Sequence, residues 1–561
     1  MDDERLLTYH RFTREHGVNR PLYWLARLIL VPFFLVYFRL ERIGREHGKV
    51  NGPLIVAANH RSFLDPFVIG ASLPWRRPLH YVAKVELFEK RWQGWILNRL
   101  GAYPVRRGQS DDQTLITSRG VLERGGAICI FPEGTRHPTG SLGRPRRGFG
   151  RLALETGAAV LPVAVHGSER VRRGWKIRPK KVRVRMGRAL TFPRTEDPSP
   201  ALANSVGARV WPVIELQWEW LGGLPPLRKA AVIGAGSWGT AVAVLLARGG
   251  LDVQLGTRTP ERAEEMNETR TNEQYLPGIP LPDSLTVKRA ADIELAGIDL
   301  VVLAVPSAAL PQAVGAIGDR VGQRASVLLL SKGMVAPMAA LPSEYVSERV
   351  RARAIASLGG PAHAREAVSG TAALVLGSRD PDLRDQLGSV FDEAGLVCER
   401  SEDMIGVEVA GAAKNAAALA GAAARGQGMN AAGIATAQVW RECVAYARAR
   451  GAEHETFAGI AGVGDLTATI LAEGSRNRRA GELLGEGTPA EQIPGIIGQA
   501  SEALDSVPLI AEAVRKSGMS SSALDGLAGL IAGEISPTEW MARARQAERA
   551  RREPAAGGRA A

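Results

Sequence analysis

Apolar residues fall along this chain in two patterns, short uninterrupted runs and longer periodic stretches. Leu54–Ala58, Ala127–Phe131 and Ala159–Val165 are continuous apolar runs bounded by Gly, Pro, Asn or His. Such runs predict parallel strands covered on both faces. Between them, Phe88 to Leu100 is aromatic and reads as a helix. Leu22 to Leu40 is a longer apolar stretch, interrupted by Arg27, Pro32 and Arg39. Leu221-Gly-Gly-Leu-Pro-Pro226 then breaks the pattern, because two prolines and two glycines cannot continue a helix or a central strand. Beyond the break, Ala231-Val-Ile leads into a glycine loop and the apolar helix Val242 to Ala247. Further strands are predicted at 252–256 and 300–306, and amphipathic or apolar helices from Thr436 to Met541.

Composition changes this picture in one respect. The chain has 561 residues, too many for one core at ~100–200 residues per domain, and a net charge of +13. Residues 1–224 carry 37 Lys and Arg against 19 Asp and Glu, and eight of the eleven Trp. The remainder carries 34 against 39, so the basic excess lies wholly in the first part. A basic, Trp-rich segment suits a membrane surface or anionic substrates. No nucleic-acid motif accompanies the charge, so nucleic acid is not expected as a partner. Cys129, Cys398 and Cys443 are scattered and odd in number, which points to a reducing compartment with neither a disulfide framework nor a metal site. The acidic start, Met-Asp-Asp-Glu-Arg, lacks the form of a cleavable signal peptide. Residues 22–40, with Tyr23, Trp24 and Tyr37 near the ends, are expected to lie on lipid, with a membrane span and a buried core helix as alternatives.

The strand at 54–58 delivers His60, followed five positions later by Asp65. A carboxylate at that spacing can hold the imidazole in one tautomer and leave its other nitrogen to take a proton from a hydroxyl. Three further blocks follow: Gly101-Ala-Tyr-Pro-Val-Arg-Arg107, Phe131-Pro-Glu-Gly-Thr-Arg136 and Leu161-Pro-Val-Ala. In this order they resemble the 1-acylglycerol-3-phosphate (lysophosphatidic acid) acyltransferase family over most of residues 22–220. The resemblance implies that His60 deprotonates the acceptor hydroxyl and Asp65 orients it for attack on an acyl thioester. It further implies that Glu133 and Gly134 shape the acceptor site and that Arg107 and Arg136 hold its phosphate. Cationic runs at Arg144–Arg151 and Arg170–Arg185, around Trp175, read as a surface for anionic headgroups.

In the second part, Gly234, Gly236 and Gly239 stand at the spacing of a dinucleotide fingerprint, between a strand and a helix. Ser237 and Trp238 lie inside it. About 20 residues on, where an NAD site places an acid, this chain has Arg258, so NADPH is expected ahead of NADH. Ser331-Lys332-Gly333, Gly359-Gly360-Pro361 with Ala364, Lys414-Asn415, Gly464-Asp465-Leu-Thr-Ala-Thr469 and Ser475-Arg476-Asn477-Arg478 follow. Together these resemble the NAD(P)-dependent glycerol-3-phosphate dehydrogenase family from Lys229 to about Arg545. The resemblance implies that Lys414 is the proton donor to the carbonyl oxygen of dihydroxyacetone phosphate. Lys332 would polarise the substrate, Asp465 would hold the lysine, and Gly360, Ser475, Arg476 and Asn477 would complete the substrate site. Arg476, Lys332, Ala364 and Glu502 would also border the cofactor. Where relatives carry a hydroxyl after Gly-Pro, this chain has Ala362.

The expected fold class is α/β: an acyltransferase α/β domain, then a Rossmann dinucleotide-binding domain and an all-helical substrate domain. The expected divisions are a tail at 1–21, the acyltransferase at 22–221, a linker at 222–229, the Rossmann domain at 230–400, the helical domain at 401–548 and a disordered tail at 549–561. Such a chain would reduce dihydroxyacetone phosphate to sn-glycerol 3-phosphate and acylate a glycerol phosphate. The block Phe-Pro-Glu-Gly-Thr-Arg favours lysophosphatidic acid as acceptor, with acyl-carrier protein or acyl-CoA as donor. The expected place is the cytoplasm, peripheral on the inner face of the plasma membrane. The alternative is a dehydrogenase tethered to the membrane by a first domain that is non-catalytic or acylates glycerol 3-phosphate itself.

Overall fold

The computed structural model describes residues 3–75, 77–106, 112–498 and 501–543. The chain divides into two compact units, Met1–Pro225 and Pro226–Ala561. The expected tail at 549–561 lies outside the described residues.

The first unit begins with two helices, α1 (Asp3–His16) and α2 (Arg20–Tyr37). Residues 3–16, expected as part of a tail, instead form a helix packed on the body of the unit. Leu6, Tyr9, His10 and Thr13 are its buried side, with the spacing of one helical face. Asn98 ties α1 down by donating to the Tyr9 carbonyl and to Thr13 Oγ1. Helix α2 runs through Pro32 without interruption. The Tyr23 hydroxyl accepts the Leu79 N–H at 3.0 Å, and Arg27 donates to the Leu73 carbonyl at 3.0 Å between the rings of Trp24 and Trp75. Leu25, Leu28, Ile29, Phe33 and Val36 are left exposed.

The body is a seven-stranded sheet. Its strands are β1 (Glu41–Ile43), β2 (Leu54–Ala58), β3 (Leu79–Lys84), β4 (Ala102–Val105), β5 (Ala127–Ile130), β6 (Ala159–His166) and β7 (Arg183–Met186), in the order β1-β7-β6-β2-β5-β3-β4. All neighbours are parallel except β6 and β7. β2 is buried at every position, because both faces are covered. Helix α3 (Asp65–Ser72) follows β2, so the turn between them sits at the carboxyl edge of the sheet.

The second unit opens with β8 (Lys229–Ile233) and helix α4 (Ser237–Arg248). Its eight-stranded sheet continues through β9 (Asp252–Thr257), β10 (Leu285–Arg289), β11 (Leu300–Leu303), β12 (Ser326–Leu329), β13 (Ile355–Gly359), β14 (Ala373–Ser378) and β15 (Val397–Ser401). The order is β10-β9-β8-β11-β12-β13-β14-β15, with only β13 and β14 antiparallel. Strand order reverses beside β8, which is where open α/β sheets bind ligands. Helices follow from Met404 onward. α5 (Met404–Ala424) is buried along almost its whole length, because its alanines and glycines let neighbouring helices approach closely. It packs against α6 (Met429–Ala449), α7 (Asp465–Leu471) and α8 (Arg476–Gly485).

Candidate active sites

In the first unit, the turn after β2 places His60 and Asp65 side by side. His60 Nδ1 is 2.9 Å from Asp65 Oδ2, and both residues are buried. The same oxygen accepts the Arg61 and Ser62 N–H groups, each at 2.7 Å, while Asp65 Oδ1 accepts the Ser168 hydroxyl. A carboxylate fixed by four donors cannot rotate, so it fixes the imidazole. The ring stacks on Phe131 with centroids 3.9 Å apart. With Nδ1 held, Nε2 is the nitrogen available to a hydroxyl proton.

Glu133, expected to shape the acceptor site, is bonded to the backbone of this turn. Its Oε1 accepts the His60 backbone N–H at 2.6 Å and its Oε2 the Gly143 N–H at 2.9 Å. Both oxygens thus brace the backbone that carries the histidine. Burial pushes its carboxyl up to about 7, against the pull of those two N–H donors and Arg61. Gly134 has a left-handed backbone (φ 73°), and a side chain there would run into Arg146. Arg146 therefore lies beside the Phe-Pro-Glu-Gly turn, a neighbour that the motif alone did not single out. Arg136 is exposed on the same loop, and Arg107 lies outside the described residues.

In the second unit, Gly236 caps helix α4 and faces open space, with no atom within 4 Å of where a Cβ would stand. Gly234 has φ 119°, and a Cβ on Gly239 would collide with the Gly234 carbonyl. The three glycines thus supply a left-handed turn, room for a pyrophosphate, and close packing of helix on strand. Ser237 and Trp238 open the helix. Asn272, fully buried, donates to the Ala235 carbonyl at 3.0 Å and to Thr240 Oγ1 at 2.8 Å, and so holds the loop from behind. Arg258 stands exposed just past the end of β9. The glycine loop and the helix start fit the pyrophosphate of a dinucleotide.

Lys332, Lys414 and Asp465 converge in one cluster. Lys332 Nζ is 2.7 Å from Asp465 Oδ2 and donates to the Gly360 carbonyl at 3.1 Å. Lys414 Nζ is 3.2 Å from Asp465 Oδ1 and donates to Thr469 Oγ1 at 2.9 Å. Burial pushes the Lys414 ammonium down to about 8, helped by Lys332 and opposed by Asp465. Burial alone would raise the Asp465 carboxyl, but Lys332 and Lys414 outweigh it and hold the group below its ordinary value.

Asn415 donates to the Lys332 carbonyl, and Asn477 donates to Asn415 Oδ1 at 2.7 Å. Asn477 also accepts the Ser501 hydroxyl, so it joins three segments. Ser475 caps helix α8 through the Arg478 N–H, and Arg476 is the exposed first residue of that helix. Glu502 Oε1 accepts the Ser307 and Lys332 N–H groups at 2.9 and 3.2 Å, which ties the strand ends at β11 and β12 to a helix. Ala364 begins a short helix after Gly360. The structure thus gathers Lys332, Gly360, Lys414, Asp465, Asn477 and Glu502 through named bonds.

Residues 229–383 match the family described as NAD-dependent glycerol-3-phosphate dehydrogenase N-terminus, and residues 403–542 match its C-terminus. A glycerol-3-phosphate dehydrogenase [NAD(P)+] of Deinococcus radiodurans is 36% identical over 313 residues, which are 55% of this chain and 92% of that protein. The chain belongs to the glycerol-3-phosphate dehydrogenase family. A Variovorax paradoxus glycerol-3-phosphate dehydrogenase [NAD(P)+] is likewise 36% identical, over 56% of this chain and 96% of that protein. The crystal structure of the Coxiella burnetii glycerol-3-phosphate dehydrogenase superposes with a TM-score of 0.52 at 28% identity, covering 56% of this chain and 98% of that one. Residues 39–166 match the family described as Acyltransferase. The chain therefore joins a dehydrogenase to an acyltransferase, and its cofactor is a nicotinamide dinucleotide.

Proposed function

We propose that the second unit reduces dihydroxyacetone phosphate to sn-glycerol 3-phosphate with NADPH, and that the first transfers an acyl group to 1-acyl-sn-glycerol 3-phosphate. The observation that carries this reading is a proton-handling group in each unit, His60 held by Asp65 and Lys414 held by Asp465.

NADPH, when bound, supplies the hydride for the carbonyl carbon. The chain's own part is to receive the oxygen. Lys414 gives that oxygen its proton, and a lysine pushed down to about 8 releases it readily near neutrality. Lys332 places a second positive charge where the alkoxide develops. Asp465 keeps both ammonium groups on one side of the site. Arg476 and Asn477 lie at the start of helix α8, suited to the substrate phosphate. The exposed Arg258 supports the 2′-phosphate cofactor.

In the first unit, His60 Nε2 takes the proton of the acceptor hydroxyl as its oxygen attacks the thioester carbonyl. The thiol leaves with a proton returned from the imidazole. Arg136 and Arg146 flank the turn and suit the acceptor phosphate. The donor is an acyl thioester of acyl-carrier protein or coenzyme A.

The setting we propose is the inner face of the plasma membrane. Helix α2 is bonded to the body of its unit through Tyr23 and Arg27, yet turns an apolar side outward. That combination supports a helix lying on lipid with the catalytic body beside it.

Steady-state rates with a panel of substrates test the reading. Dihydroxyacetone phosphate with NADPH is expected to outpace the same substrate with NADH, and Arg258→Gln is expected to narrow that gap by raising KM for NADPH. Lysophosphatidic acid is expected to accept acyl groups faster than glycerol 3-phosphate. A β-keto acid reacting while dihydroxyacetone phosphate stays inert, or no acyl transfer to either acceptor, would refute it.

A further inference from the structure

The first unit has a polar cleft, of about 490 Å³, at the edge of the sheet opposite His60. Its walls come from the turn between α1 and α2 and from the segments that lead into β2, β3 and β5. His60 and Glu133 lie past the carboxyl ends of β2 and β5. The length of β2, roughly 16 Å at ~3.3 Å per residue, therefore separates the two places.

Four cationic side chains, Arg20, Lys49, Arg77 and Arg124, line this cleft together with His16 and His80; burial pushes His80 down to about 4, so its ring is neutral near neutrality. No Asp or Glu occurs among the lining residues; Glu15, which does not line it, comes within 3.9 Å of His16. Two of the four cations are braced. Arg77 donates to the Val50 and Gly52 carbonyls, and Arg124 donates to the Thr13 carbonyl at 3.0 Å. His80 is buried and its Nδ1 is held by the Ala127 carbonyl at 3.1 Å, which fixes the ring in the wall. Arg20 and Lys49 are exposed at the rim. Gly125 has φ 73° and nothing within 4 Å of a would-be Cβ, so the floor is open backbone.

Gathering like charges around a concavity raises the local potential and is unfavourable until a counter-charge enters. Guanidinium groups pre-oriented on backbone carbonyls lose little freedom when they then meet a phosphate. We propose that this cleft is a non-catalytic binding site for a phosphate group, separate from the acceptor site at His60. The phosphate can be a free anion or the headgroup of an anionic lipid, since the cleft opens beside the first turn of α2. In either case the contact would be made by Arg20 and Lys49 at the rim and by Arg77 and Arg124 in the walls.

The test reads Lys49 directly. The full-length protein is acetylated with an amine-reactive reagent and each lysine is followed by mass spectrometry, with the exposed Lys288 of the second unit as reference. Labelling is compared in buffer alone, with inorganic phosphate, with phosphatidylglycerol vesicles and with phosphatidylcholine vesicles. The expected result is at least threefold slower labelling of Lys49, but not of Lys288, with phosphate or with phosphatidylglycerol vesicles. Protection by phosphate identifies a free-anion site, and protection by phosphatidylglycerol alone identifies a headgroup site. Arg20→Ala, which removes an exposed side chain, is expected to abolish most of the protection while acyl transfer continues. Equal labelling under all four conditions, equal protection by both kinds of vesicle with none from phosphate, or protection unchanged in Arg20→Ala, would overturn the proposal.

Discussion

Lys414 and Lys332 share one carboxylate: Asp465 offers Oδ1 to the first at 3.2 Å and Oδ2 to the second at 2.7 Å. A single negative charge thus serves two ammonium groups. Burial leaves Lys414 with a proton it can give up at about pH 8.

The sign of the pH dependence follows. Reduction needs Lys414 protonated, so kcat/KM for dihydroxyacetone phosphate should fall as pH rises through about 8. Oxidation of glycerol 3-phosphate needs the neutral amine, so its kcat/KM should rise through the same pH. Asp465→Asn removes the charge that favours the ammonium form, and both limbs should move to lower pH. Limbs that stay in place in that variant would separate Lys414 from the proton transfer.

The glycine loop gives a contrast between two neighbours. A Cβ at Gly236 meets nothing, so Gly236→Ala should keep the thermal midpoint while weakening dinucleotide binding where the pyrophosphate must approach. A Cβ at Gly239 collides with the Gly234 carbonyl, so Gly239→Ala should lower stability as overpacking does, by about 1–3 kcal/mol. Calorimetry with and without cofactor distinguishes the two.

Ser168 donates to the oxygen of Asp65 that faces away from His60. Ser168→Ala leaves that buried oxygen short of a donor, and a hydrogen bond to a charged group is worth roughly 1.5–3 kcal/mol. Acyl transfer should lose about tenfold in kcat with KM little altered, and reduction of dihydroxyacetone phosphate should be unaffected. Loss of KM alone would place Ser168 in substrate binding.

The two-unit plan and most of the chemistry were legible because their signals are local. His60 and Asp65 are five residues apart on one turn, and the three glycines fall within six positions. The Lys332–Asp465 pair spans 133 positions, and only the resemblance to a dehydrogenase brought its members together beforehand. Ser168 and Asn272 were missed because a buried Ser or Asn has no periodicity of its own. Their partners, Asp65 and the Ala235 carbonyl, lie 103 and 37 residues away. Helix α1 stands where a tail is expected, and most of its residues are polar. Yet Leu6, Tyr9, His10 and Thr13 recur at helical spacing, a signal that was present. The backbone contacts of Glu133 were not legible either. A motif shows which residue stands in a turn, not whether its carboxylate faces a substrate or the backbone.

The most direct measurement compares three purified full-length proteins, wild type, His60→Ala and Lys414→Ala, in both assays side by side. Removal of a group that moves a proton should cost about 10²–10⁴-fold. His60→Ala should lose acyl transfer and keep dihydroxyacetone phosphate reduction, and Lys414→Ala should show the reverse. If either variant kept both activities, the group it removed would not be the proton carrier, and the account of two separate active sites on one chain would be contradicted.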